Sequence, residues 1–103
     1  MSIKQIKDEL KKAYSDGNLH FRASSSVTPK DAYEIMKKCC PDGYNEFQAE
    51  LLLLFPDDCM VTLAREYSVC IYVSPGSKRL PNRKSLNADE IDKIDGEVRI
   101  WWD

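Results

Sequence analysis

Long apolar runs, histidine, glycine and a surplus of either charge are all scarce in this chain, and each shortage closes a class of function. The longest apolar stretch is "LLLLF", far short of the roughly 20 residues that a membrane span requires. The opening "MSIKQIKDELKK" is charged and interrupted too often for a secretory apolar region. The expectation is a soluble, cytoplasmic protein with no membrane partner. A single histidine, His20, would have to serve any Ser-His or Cys-His nucleophile. No sequence cue supplies it with an orienting carboxylate, so it reads as a surface residue. Gly76 stands before Ser77-Lys78 without the second glycine that G-x-x-x-x-G-K-[ST] requires at that spacing, which rules out a P-loop. The net charge of −2 and pI near 5.4 argue against a dedicated nucleic-acid binder, which is usually basic. They argue equally against a strong nucleic-acid mimic, which needs dense negative charge.

The four cysteines, Cys39, Cys40, Cys59 and Cys70, lack the close C-x₂₋₄-C pairs of a structural zinc site. Neighbouring helical side chains such as Cys39 and Cys40 point about 100° apart. All four read as small buried thiols in a reducing compartment. No metal or other cofactor is expected.

What remains is the make-up of an ordinary globular domain over residues 1–103, 43% hydrophobic and 31% charged. Ile3, Ile6, Leu10, Ala13 and Tyr14 form a helical stripe. Ser2 with Gln5 resembles a capping box, and Asp16-Gly17 is a stop. "NLHFRA" alternates as a half-buried strand that turns His20 and Arg22 outward. Thr28, Pro29 and Asp31 open a second helix with the stripe Ala32, Ile35, Met36 and Cys39. "NEFQAELLLLF" fits a strand by alternation, yet its leucines and glutamates, with Asn45 and Gln48 as a capping box, favour a helix. "CMVTLAREYSVCIYVS" is rich in β-branched and aromatic residues and predicts two strands reversing near Arg65-Glu66. "LNADEIDKIDG" predicts a short helix capped by Asn87 and Glu90, with Leu86 stapled to Ile91. "EVRIWW" closes the chain as a strand. The expected fold is α+β, in the order α-β-α-α-β-β-α-β, with a mainly antiparallel sheet of about four strands packed by helices.

On a pleated terminal strand Val98, Ile100 and Trp102 share the core side, and Glu97, Arg99, Trp101 and Asp103 share the other. The outward ring of Trp101 is then covered either by its own chain or by a partner. Nearby, Lys78, Arg79, Arg83 and Lys84 place four cations within seven residues, whereas residues 86–103 hold six acids against Lys93 and Arg99, a local net of −4. Two-signed surfaces steer and select protein partners, and Trp and Arg are enriched in binding hot spots. The candidate partner-binding set is therefore Arg99, Trp101, Lys78, Arg79, Arg83, Lys84, His20 and Arg22. The expected activity is non-enzymatic: a small inhibitor or immunity-type accessory protein of a mobile element, bound to a toxin, to an enzyme or to a second copy of itself. Two alternatives are weighed beside it. One is a nucleic-acid contact through "SKRLPNRKS"; the other is a small ligand-binding or enzymatic domain using His20, Tyr67 or a cysteine.

Overall fold

Two helices lie against one side of an antiparallel sheet, and among the described residues the other side of that sheet carries no helix. The computed structural model describes residues 3–43 and 46–103. Its elements are α1 (Ile3–Ser15), β1 (His20–Arg22), α2 (Pro29–Cys39), a 3₁₀ helix (Ala49–Leu54), β2 (Met60–Glu66), β3 (Ser68–Ser74), β4 (Glu90–Ile94) and β5 (Glu97–Trp101). Among the described residues the sheet has five strands in the order β1-β2-β3-β5-β4, every pair antiparallel. Among the same residues no helix is long and apolar enough to cross a membrane.

The helices follow from their stripes and caps. α1 buries Ile6, Leu10 and Ala13. It ends where Gly17 takes φ +69° and the Asn18 amide reaches back to the Ala13 carbonyl at 2.9 Å, the long bond of a Schellman stop. α2 starts with Thr28 Oγ1 accepting from the Asp31 amide at 3.2 Å, and it buries Ala32, Ile35 and Met36. The expected caps at Ser2 and Asn45 lie outside the described residues.

The leucine run forms a 3₁₀ helix rather than an α-helix, and its burial pattern gives the reason. Ala49, Leu52 and Phe55 are buried at intervals of three, the period of a 3₁₀ turn. Leu53 and Leu54 consequently face outward, each 53% exposed. Pro56, which donates no backbone hydrogen bond, follows at once.

The helix expected over Leu86–Gly96 is the clearest correction, because residues 90–94 are a strand. Asp95 and Gly96 both take positive φ, +49° and +82°, the signature of a type I′ hairpin turn. They join β4 to β5 with Ile94 opposite Glu97. Asn87, expected as an N-cap, is itself left-handed at φ +52°, a conformation unlike the extended backbone of a helix cap. The fold is still α+β, with five strands in place of about four.

Trp102 anchors the core. It is fully buried, its indole Nε1 donates to the Leu86 carbonyl at 2.8 Å, and its ring meets Phe47 edge-on at 4.9 Å. The loop between β3 and β4 is thereby fastened over the end of β5. Replacing Trp102 with alanine should cost about 3–5 kcal/mol, read as a lower urea midpoint. Trp102→Phe should recover part of that loss but leave the Leu86 carbonyl unpaired, at a cost of about 1–3 kcal/mol. Equal midpoints for Trp102→Phe and the parent would show that the indole bond contributes nothing.

Candidate partner-binding face

Register decides which side chains meet on the uncovered side of the sheet. Ile100 lies opposite Ile71 and Val98 opposite Val73, so Val98, Ile100 and Trp102 face the helices as expected. The alternate residues face away. Arg99 stands beside Tyr72 and Trp101 beside Cys70. Arg22 stands beside Ala64 and His20 beside Glu66. Four of the predicted site residues, His20, Arg22, Arg99 and Trp101, therefore share one face of the sheet. Asp103 follows the end of β5, where its amide donates to Asp89 Oδ2 at 2.6 Å.

Glu66, at the end of β2, organises this face. Arg99 presents a fork to it, Nη2 to Oε1 at 2.8 Å and Nε to Oε1 at 3.1 Å. The Tyr72 hydroxyl donates to Glu66 Oε2, and so does the Cys70 thiol at 3.3 Å. Arg99 reaches on through Nη1 to Glu90 at 3.0 Å and to Asp92 at 3.3 Å. The sequence places these two acids in a helix; in β4 they flank a guanidinium instead. On the far side Arg22 lies over the Tyr72 ring at 4.2 Å and pairs with Glu97 at 2.9 Å. Charge-assisted forks of this kind are stronger than neutral hydrogen bonds.

The electrostatics follow. The Arg99 hydrogen bonds hold the Glu66 carboxyl down at about 2, against an ordinary 4.5. Its hydrogen bonds to Glu66 raise the Arg99 guanidinium further still. Burial first, and then Glu66, pushes the Tyr72 phenol up to about 12. The same two causes push the Cys70 thiol well up, which keeps it protonated and a poor nucleophile.

Long side chains also serve as the cover that no helix supplies. Beneath Arg22, Tyr72, Arg99 and Trp101, the small residues Ala64 and Cys70 are buried. Trp101 is half-buried, and its Nε1 donates to the Glu66 carbonyl at 2.7 Å. The ring is thus held in place by its own chain without being sealed inside it.

At the same end of the face stands a residue whose place in this set the sequence did not reveal. Tyr67 links β2 directly to β3 at φ +64°, and it is 61% exposed. Its amide donates to the Leu19 carbonyl at 2.8 Å, and its ring meets His20 edge-on at 4.8 Å. Leu19 is itself 42% exposed. The absence of glycine and asparagine at the reversal was the one available signal that something unusual stood there.

The basic loop runs elsewhere. Lys78 pairs with Asp57 at 3.5 Å, and Ser77 donates to Asp58 through its amide and its hydroxyl, each at 2.8 Å. Gly76 is pressed so close to Asp58 that a Cβ there would sit 2.5 Å from its carbonyl oxygen. Arg83 Nη1 donates to the Ala88 carbonyl at 3.4 Å, and Leu86 packs on the inward side of β5 against Trp102. Arg79 and Lys84 are exposed on the same loop. Among the described residues no hydrogen bond or ion pair joins Lys78, Arg79, Arg83 or Lys84 to Arg99 or Trp101, and the loop meets β5 through Leu86 at Trp102 and through the Asp89 amide at the Trp101 carbonyl, 3.0 Å away. Among the described residues no group of three or more His, Cys, Asp or Glu side chains could hold a metal ion, and all four cysteines are free thiols.

Acidification tests the Glu66 network. Between pH 4.5 and about 2 the unfolded chain binds a proton at Glu66 that the folded chain refuses, so stability falls as pH is lowered through that window. Chemical denaturation across it should show a steeper fall for the parent than for Glu66→Gln; parallel profiles would mean that Glu66 does not hold Arg99. Comparison of the chain with protein-family models, with curated protein sequences and with solved structures returned no match, so the functional reading rests on this geometry.

Proposed function

We propose that the chain is a small, non-enzymatic protein-binding module that grips its partner through the uncovered face of the sheet. The observation that carries this reading is Tyr67. A bulky residue at positive φ costs about 1–3 kcal/mol, and an exposed aromatic ring forgoes burial it could have had. The positive φ makes the one-residue reversal between β2 and β3 and turns the Tyr67 carbonyl to Arg65 Nε at 3.3 Å, whereas the exposed ring serves a contact that needs a rigid ring standing clear of the surface. Leu19 and His20 widen the apolar tip, and Trp101 is fixed behind it by the Glu66 carbonyl. Arg22 forms the charged flank. Arg99, only 15% exposed, acts here as a positioning residue that holds Glu66 and the two acids of β4.

The flank also speaks to the partner's charge. Two guanidiniums, Arg22 and Arg99, stand among four carboxylates, Glu66, Glu90, Asp92 and Glu97. A basic protein surface complements that balance, and complementary charge raises association rate and selectivity more than affinity. An inhibitor or immunity-type protein bound to a toxin or an enzyme in the cytoplasm fits this description. The Lys78–Lys84 loop would lie outside the main contact, steering at most.

Photo-crosslinking in the native host tests the reading. With a photoreactive residue at position 67 or 20, one defined protein should be captured. With the same residue at position 12, on α1, it should not. Arg22→Glu should reduce capture from position 67 at least tenfold while the circular dichroism spectrum is unchanged. Capture of the same products from all three positions, or indifference to Arg22→Glu, would overturn the proposal. Capture of a second copy alone would replace the foreign partner with a homodimer.

A further inference from the structure

On the opposite side of the molecule, α1 and α2 leave a groove of about 550 Å³ between them. Ile3, Lys4 and Lys7 line it from α1, and Tyr33, Lys37 and Lys38 from α2, with Glu34 as the one carboxylate. The lining is unusual in two respects. Ile3 is 41% exposed, so the floor offers apolar surface. Among the described residues Lys4, Lys7 and Lys38 take part in no ion pair, and Lys37 is held only by Glu50 at 2.6 Å. Both members of that pair are about half exposed, so an incoming carboxylate can exchange with Glu50 at little cost.

We propose that this groove docks an acidic segment of a partner protein that carries an aliphatic or aromatic side chain among its carboxylates. Four ammonium groups over an apolar floor complement that chemistry on both counts. A polyanion such as nucleic acid would use the lysines and gain nothing from Ile3. It would also find no arginine fork for its phosphates, on a chain whose net charge is already −2. A bilayer is flat on this scale and does not enter a groove between helices. In a second copy of the chain Glu90 and Asp92 are engaged by Arg99, Glu97 by Arg22 and Asp57 by Lys78, and whether its remaining carboxylates enter the groove is read by sedimentation. The groove is separate from the Tyr67 face, so either surface can fail without the other.

A fluorescein-labelled amphipathic peptide of glutamates and leucines, with one acidic and one apolar helical face, serves as the probe, read by anisotropy with the full chain. Saturable binding should weaken about tenfold in Lys7→Glu/Lys38→Glu, the sum of two modest exposed pairs, and weaken again when the leucines are replaced by serine. Lys12→Glu/Lys93→Glu makes the same change of net charge away from the groove and should bind almost as the parent does. Four outcomes overturn the proposal. They are no saturable binding, equal loss in both double variants, tighter binding of single-stranded DNA or phosphatidylserine vesicles than of the peptide, or a groove-dependent dimer in sedimentation.

Discussion

The fork between Arg99 and Glu66 is the interaction on which the uncovered face depends. Glu66 belongs to β2 and Arg99 to β5, and β3 lies between them. A carboxylate that gathers Arg99, Tyr72 and Cys70 therefore bridges three strands, and the Arg99 contacts with Glu90 and Asp92 add a fourth. An isolated exposed ion pair contributes little. This one differs because Arg99 is only 15% exposed and because each member satisfies several partners at once. Removing either would leave the other partly buried with its hydrogen bonds unmade, which costs more than the pair itself contributes.

The same fork explains how a sheet can dispense with a second layer of helices. Ala64 and Cys70 are small, and Arg22, Tyr72, Arg99 and Trp101 are long enough to close over them. The stems of long polar side chains bury apolar surface while their heads stay wet or paired. The result is a face that excludes water from its small residues yet presents charge and aromatic edges outward.

Much of this was legible in the sequence, and the division follows the range of the forces involved. The α2 stripe, the α1 stripe apart from the exposed Ile3, the Thr28 cap, the Gly17 stop and the inward set Val98, Ile100 and Trp102 all arise from residues close in sequence, and the structure bears them out. β4 was misread because its local signals point the wrong way. Asn87 with Glu90 imitates a capping box, and Glu90 and Asp92 are poor strand formers. What makes them a strand is Arg99 across the hairpin, together with an Asp95-Gly96 turn that equally resembles a helix stop. The leucine run was read as helical, but its period of three emerged only from the positions buried. Glu66 was invisible as a hub because its role needs two registers at once, β2 on β3 and β3 on β5, and no local pattern carries either.

The two proposed surfaces, the Tyr67 face and the helical groove, differ in the sign of their charge. The uncovered sheet face carries more carboxylate than guanidinium, whereas the groove between α1 and α2 is dominated by ammonium groups. Nearly balanced charge overall therefore conceals separation rather than neutrality. Such separation orients an approaching protein before contact, because opposite faces attract opposite surfaces within a Debye length of about 8 Å at physiological salt. The ion pairs that hold the sheet face together thus also keep its guanidiniums fixed among its carboxylates.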